Sequence, residues 1–180
     1  PATRAEGGGF TANGYVYYVG GANSAGTAQS TVYYAKQNAD GSLGSWQTTS
    51  ALATARMRGN IAVANGYVYF LGGARTTTVQ YAKINADGTL GSWTNNANSL
   101  TDDRGEAAAY VQNGYIYLWG GEENDQGDGV TTGMYAQLNA NGSTGVWSNL
   151  TTLPALPANR QRGISAIING YAYWSGGRFQ

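Results

Sequence analysis

An all-β fold of repeated four-stranded antiparallel units is what this sequence predicts, on three observations. First, one phrase returns four times: an arginine, then Asn-Gly-Tyr, then an aromatic-rich run ending in Gly-Gly. Its copies are Arg4 … Asn13-Gly14-Tyr15 … Gly20-Gly21, Arg56 … Asn65-Gly66-Tyr67 … Gly72-Gly73, Arg104 … Asn113-Gly114-Tyr115 … Gly120-Gly121, and Arg160 … Asn169-Gly170-Tyr171 … Gly176-Gly177. Second, a different phrase lies between the copies: Tyr34-Ala35 … Asp40-Gly41 … Gly44 … Trp46, Tyr81-Ala82 … Asp87-Gly88 … Gly91 … Trp93, and Tyr135-Ala136 … Asn141-Gly142 … Gly145 … Trp147. Third, glycine, asparagine, threonine and tyrosine dominate, and no segment carries a helical period. A repeat of about 50 residues is that of propeller blades. It divides a single domain, 1–180, into units at about 1–55, 56–103 and 104–159, with a half unit at 160–180.

The first phrase reads as two strands, A and B. In the second copy Asn60-Ile61-Ala62-Val63-Ala64 is an apolar strand, Asn65-Gly66 supplies a two-residue turn, and Tyr67-Val68-Tyr69-Phe70-Leu71 returns. Strand A is small throughout, as at Gly7-Gly8-Gly9 and Ala107-Ala108-Ala109, which suits a crowded position near a central axis. The second phrase reads as strands C and D. Tyr33-Tyr34-Ala35-Lys36 enters the turn Asn38-Ala39-Asp40-Gly41, and Leu43-Gly44-Ser45-Trp46 returns as D. The interval from tyrosine to tryptophan is constant, while the B–C and D–A connections vary. Rigid hairpins joined by adaptable loops are the result.

Gly-Gly after an aromatic strand, then a tyrosine, then a tryptophan, with an arginine opening the next unit, resembles the kelch repeat over essentially the whole chain. The resemblance implies a propeller in which A is the innermost strand and D the outermost. The tyrosine-to-tryptophan interval is longer than the usual kelch spacing, because a longer Asn-Ala-Asp-Gly-type hairpin is inserted. The chain therefore looks like a bacterial variant of the kelch blade. Such propellers host enzymes, lectins and scaffolds alike, so the resemblance does not choose an activity.

Composition removes several classes of chemistry. The chain has no cysteine and no histidine, which excludes disulfides, thiolate nucleophiles, imidazole bases and ordinary zinc or copper sites. Copper oxidases of the galactose oxidase type, which resemble this fold, need those ligands. No cofactor is expected. Ten basic and ten acidic side chains cancel, so no overall field favours nucleic acid. No run approaches the ~20 apolar residues of a membrane-spanning helix. The lysine-poor surface rich in Gly, Asn, Thr and Tyr points to an extracellular or cell-surface setting. A start at Pro1 fits a processed or truncated chain.

Candidate site residues fall into four groups. Arg4, Arg56, Arg104 and Arg160 open each unit, either as a ring able to grip a carboxylate or phosphate, or as ties that bond turn carbonyls. Their presence in every unit favours the second role. Two positions later stand Glu6, Arg58, Glu106 and Arg162, whose charge alternates. Side-by-side A strands would pair them between blades near the axis. The acidic segment holding Glu122, Glu123, Asp125 and Asp128 is a weak calcium candidate, since its spacing does not match a known calcium loop. Aromatics that repeat in register read as packing. Phe10, Tyr110, Trp119, Trp174 and Phe179 do not, and are the better ligand candidates. Asn141-Gly142-Ser143 and Asn149-Leu150-Thr151 are formal N-glycosylation triplets of a kind common by chance in such a composition.

Three functions follow as expectations: a non-catalytic structural, adhesive or protein-interaction module; a glycan-binding propeller; or, with least support, a kelch-like sugar mutarotase or lyase. The count of phrases, four against three, weights the first. An unfinished last unit predicts a homo-oligomer, as a two-fold dimer or a head-to-tail polymer, or else the remainder of a longer propeller.

Overall fold

The computed structural model describes residues 1–124, 129–151 and 155–178. Among them there is no helix, and hence none long and apolar enough to cross a membrane. Three units are four-stranded antiparallel sheets with strands in chain order. The first comprises β1 (Gly8–Ala12), β2 (Tyr15–Val19), β3 (Val32–Lys36) and β4 (Gln47–Thr49). The second comprises β5 (Asn60–Ala64), β6 (Tyr67–Leu71), β7 (Val79–Lys83) and β8 (Thr94–Asn95). The third comprises β9 (Ala108–Gln112), β10 (Tyr115–Trp119), β11 (Gly133–Gln137) and β12 (Ser148–Asn149). A two-stranded sheet, β13 (Ile164–Ile168) and β14 (Tyr171–Ser175), follows.

The A–B hairpins form as the sequence dictates. Asn13, Asn65, Asn113 and Asn169 sit at φ near +50°, each followed by a glycine near +80°. Two successive left-handed residues make the turn whose twist suits a two-residue hairpin. The C–D hairpins differ from expectation in one respect. Strand D is not Leu43–Trp46 but the short β4 that follows the tryptophan, and β8 and β12 are placed likewise. Leu43 bridges Gln37, and the Gly44 N–H donates to the Lys36 carbonyl at 2.8 Å. The ladder resumes only at Tyr34–Gln47, so three returning residues oppose two. This β-bulge turns the strand and swings the tryptophan toward the preceding unit.

The units stack through their faces, and the cores lie between sheets rather than within them. Tyr17, Val19 and Val32 of the first unit pack on Val68, Phe70, Leu90 and Trp93 of the second. Tyr69, Leu71 and Val79 of the second pack on Ile116, Leu118, Met134 and Trp147 of the third. The A strands meet side by side, β1 with β5, β5 with β9 and β9 with β13, which makes A the inner strand.

One compensation recurs inside the units. A methyl group on Gly7, Gly59 or Gly163 would run into the ring of Tyr18, Phe70 or Trp174. In the third unit the corresponding residues are Ala107 and Leu118. Glycine accompanies the aromatic ring, and alanine accompanies the slimmer leucine.

Candidate functional site

The inner ends of the A strands bring Glu6, Arg58, Glu106 and Arg162 together. All four adopt left-handed backbone, with φ between 52° and 60°. That conformation aims each N–H at the preceding unit: Arg58 donates to the Glu6 carbonyl at 2.8 Å, Glu106 to Arg58 at 2.8 Å, and Arg162 to Glu106 at 3.0 Å. The side chains follow the same line. Arg58 Nε lies 3.1 Å from Glu6 Oε2 and 4.0 Å from Glu106 Oε1, and Arg162 Nε donates to Glu106 Oε2 at 2.5 Å. This bond holds the Arg162 guanidinium above its ordinary pKa, so it stays charged. Around these residues a cavity of about 480 Å³ opens, lined by Gly8, Asn60 and the other starts of the A strands.

The side chains of the four unit-opening arginines mainly bond carbonyls, but those of the residue just before them or of their own unit rather than of the neighbouring unit. Arg104 is buried; its Nη1 donates to the carbonyls of Gly120 and Thr132 at 2.9 and 3.3 Å, and its Nη2 pairs with Glu123 at 2.5 Å. Burial pulls its pKa down and Glu123 opposes that fall. Arg4 reaches the carbonyl of Thr3 and Gln29 Oε1, while Arg56 and Arg160 bond the carbonyls of Ala55 and Asn159. Their main chains do more. The carbonyls of Arg56, Arg104 and Arg160 accept from the N–H of Gly21, Gly73 and Gly121 at 2.9, 3.0 and 2.7 Å, each joining a unit to its predecessor.

The acidic segment is partly absorbed by the same architecture. Glu122 is buried and pairs with Arg58 Nη1 at 3.2 Å, and Glu123 pairs with Arg104. Among the described residues no cluster of three acidic side chains stands ready for a metal. Asp125 and Asp128 lie outside the described residues, as does Phe179.

Three of the non-repeating aromatics converge. Tyr110, Trp119 and Trp174 surround a cavity of about 90 Å³ between the third sheet and β13–β14. Ligand pockets run to roughly 300 Å³ and more, so this one is a packing gap between sheets. Trp119 Nε1 donates to the Thr131 carbonyl at 3.2 Å. Tyr110 stacks on Tyr117 with centroids 5.2 Å apart, and burial pushes its pKa up to about 12. Phe10 lies elsewhere, stacked on Tyr17 at 4.2 Å.

The sequence reading passed over a second aromatic group. Tyr18, Tyr33 and Trp46, with Arg4, line a cleft of about 260 Å³ on the outer face of the first sheet. The Arg4 guanidinium lies 5.9 Å from the Tyr33 ring centroid. Trp46 repeats in register with Trp93 and Trp147 and so looks like a packing residue. By contrast, Gln80 and Met134 stand in the place of Tyr33, and Phe70, Leu118 and Trp174 in that of Tyr18. Trp46 differs in exposure: Trp93 and Trp147 are buried against the sheet of the unit before them among the described residues, and Trp46 is not buried. No protein-family model matches the chain, and no curated protein sequence matches it.

Proposed function

We propose that this chain is a non-catalytic, kelch-like β-propeller module of a secreted or cell-surface bacterial protein, whose role is to assemble with further copies of itself. The observation that carries the reading is the outer face of β13–β14. Ile164, Ile168, Tyr171 and Tyr173 are 78%, 54%, 70% and 53% exposed there. Tyr17 and Tyr69, which occupy the position of Tyr173 in earlier units, are 1% and 0% exposed. A contiguous apolar face of this kind, repeating one that is buried twice in the same molecule, is an interaction surface. The opposite end agrees: Leu43 of the first unit is 43% exposed and its counterpart Leu90 is 3% exposed. Sedimentation velocity over a wide concentration range tests the reading. Mass should rise with concentration toward a dimer or larger assembly, and a strict monomer throughout would remove it.

Glycan binding is the second reading, supported by the cleft of Tyr18, Tyr33, Trp46 and Arg4. Aromatic faces beside a guanidinium suit a sugar ring with a charged substituent. A glycan array probed with the chain and with Trp46→Ala should show hits that disappear in the variant; no hits would dismiss it.

A further inference from the structure

Every junction between units repeats one pattern of contacts, and the two outer faces carry its unmatched halves. At each junction a left-handed residue donates its N–H to the equivalent carbonyl of the preceding unit. Among the described residues, Glu6 N–H and the Arg162 carbonyl have no such neighbour. At each junction the first glycine of the Gly-Gly pair faces an arginine carbonyl. A methyl group on Gly20, Gly72 or Gly120 would strike Arg56 O, Arg104 O or Arg160 O. Gly176 has the same left-handed backbone, φ 67°, and a methyl group there would meet nothing within 4 Å.

Side-chain size is matched across the junctions as well. Gly8 of β1 leaves room for Ile61 of β5, whose side chain fills the space a methyl group on Gly8 would take. Asn60 stands in the place of Gly8 in the second unit and Ala108 in the third, facing the places of Ala109 and Ser165. In the fourth unit the place of Gly8 is held by Ile164, exposed, while in the first the place of Ile61 is held by Gly9. A projecting side chain at one end thus corresponds to a hollow at the other. Character also alternates with a two-unit period: Glu6 with Phe10, Arg58 with Ala62, Glu106 with Tyr110, Arg162 with Ala166. After an arginine–alanine unit the series calls for a glutamate–aromatic unit, which is what the first unit provides.

We propose that the β13–β14 face of one copy docks on the β1–β2 face of a second copy in the register of the internal junctions. This rests on the self-association reading and gives it a geometry. Ile164 enters the hollow over Gly9 of the second copy. Arg162 lies between its own Glu106 and Glu6 of the second copy, as Arg58 lies between Glu6 and Glu106. The Arg162 carbonyl accepts from the N–H of that Glu6, and the Gly177 N–H donates to the Arg4 carbonyl beside it. A head-to-tail contact of this kind closes into a ring if the rotation per unit permits and otherwise extends as a filament. The register is the same in both.

The test exchanges the projection and the hollow. Gly9→Ile is tolerated by a single copy, because the nearest atom to its Cβ is the Tyr17 carbonyl oxygen at 3.6 Å. Opposite Ile164 it overfills the contact, so association should weaken by about tenfold or more. Adding Ile164→Gly recreates the Gly8–Ile61 pairing in its own orientation and should restore association. Thermal melting of each variant verifies that it is folded. A wild-type chain that associates while Gly9→Ile associates equally well overturns this register and leaves self-association standing. A folded double variant that fails to recover also overturns it. A wild-type chain that stays monomeric overturns both, assigning the open faces to another partner.

Discussion

The Tyr17 hydroxyl donates to the Gly88 carbonyl at 2.8 Å, tying a B strand to the C–D turn of the next unit. Both ends of this bond are withdrawn from water, and burial helps push the Tyr17 pKa up to about 12. Tyr69 occupies the same place one unit later, with a pKa likewise about 12, yet its buried hydroxyl has no hydrogen-bond partner among the described residues. Tyr17→Phe should therefore destabilise the fold by about 1–2 kcal/mol, since it orphans a carbonyl. Tyr69→Phe should be neutral or stabilising. Urea unfolding of the two variants side by side gives the comparison.

The paired sizes at the start of strand A predict a rescue. Gly59→Ala should cost about 1–3 kcal/mol, because its methyl group meets the Phe70 ring. Adding Phe70→Leu should recover part of that loss, because Ala107 and Leu118 already form this combination in the third unit. Equal destabilisation by the single and double variants would show that the ring is not the obstacle.

Arg58 holds Glu6 and the buried Glu122. Arg58→Met should destabilise by about 2 kcal/mol, below the value for a fully buried pair because Arg58 is partly exposed. Glu122→Gln in the same chain should return much of it by removing the buried charge. If the second change makes matters worse, the guanidinium is not what neutralises Glu122.

Acid should loosen the C–D turns. Asp40 Oδ1 accepts from the N–H and hydroxyl of Ser42 at 2.9 and 2.6 Å, and Asp87 accepts from Thr89 at 3.0 and 2.6 Å. The hydroxyl bonds, then the backbone bonds, hold both carboxyls below their usual value of 3.8. A folded-state pKa below the unfolded one gives stability that is complete above the unfolded value and fades as pH drops through the folded one. The melting temperature should thus begin to fall below about pH 5. Asp40→Asn with Asp87→Asn should flatten that fall, because Asn141 already makes the same turn with Ser143 at 3.1 and 2.7 Å. An unchanged acid slope would assign the loss to other carboxylates.

What the sequence made legible was what short-range chemistry decides. Asn65-Gly66 is the pair that most readily adopts two successive left-handed residues, and the flanking apolar strands then pair as β5 against β6. The alternating charges at Glu6, Arg58, Glu106 and Arg162 could be read because each position repeats. Strand D was misplaced because Trp46 looks like a strand residue, and the bulge at Gly44 exists only where Lys36 offers a carbonyl. The cleft at Trp46 was hidden for a related reason. An aromatic ring is packing or surface according to what stands beside it, and Trp46 is the same repeat residue as the buried Trp93 and Trp147.

The compensated glycine–aromatic and alanine–leucine pairs bear on how the chain arose. If the units had remained copies, any one could stand in for another. Instead the third differs from the other three in a linked pair, a leucine standing for the ring where a methyl group is present. The polar clamps between units have drifted too. Ser50 meets Leu90 and Trp93 at one junction, while Asn96 and Asn98 hold Thr144 at the next. The units are therefore no longer interchangeable. Shuffling their order would set mismatched edges together, and the chain records its own sequence of joints in their shapes.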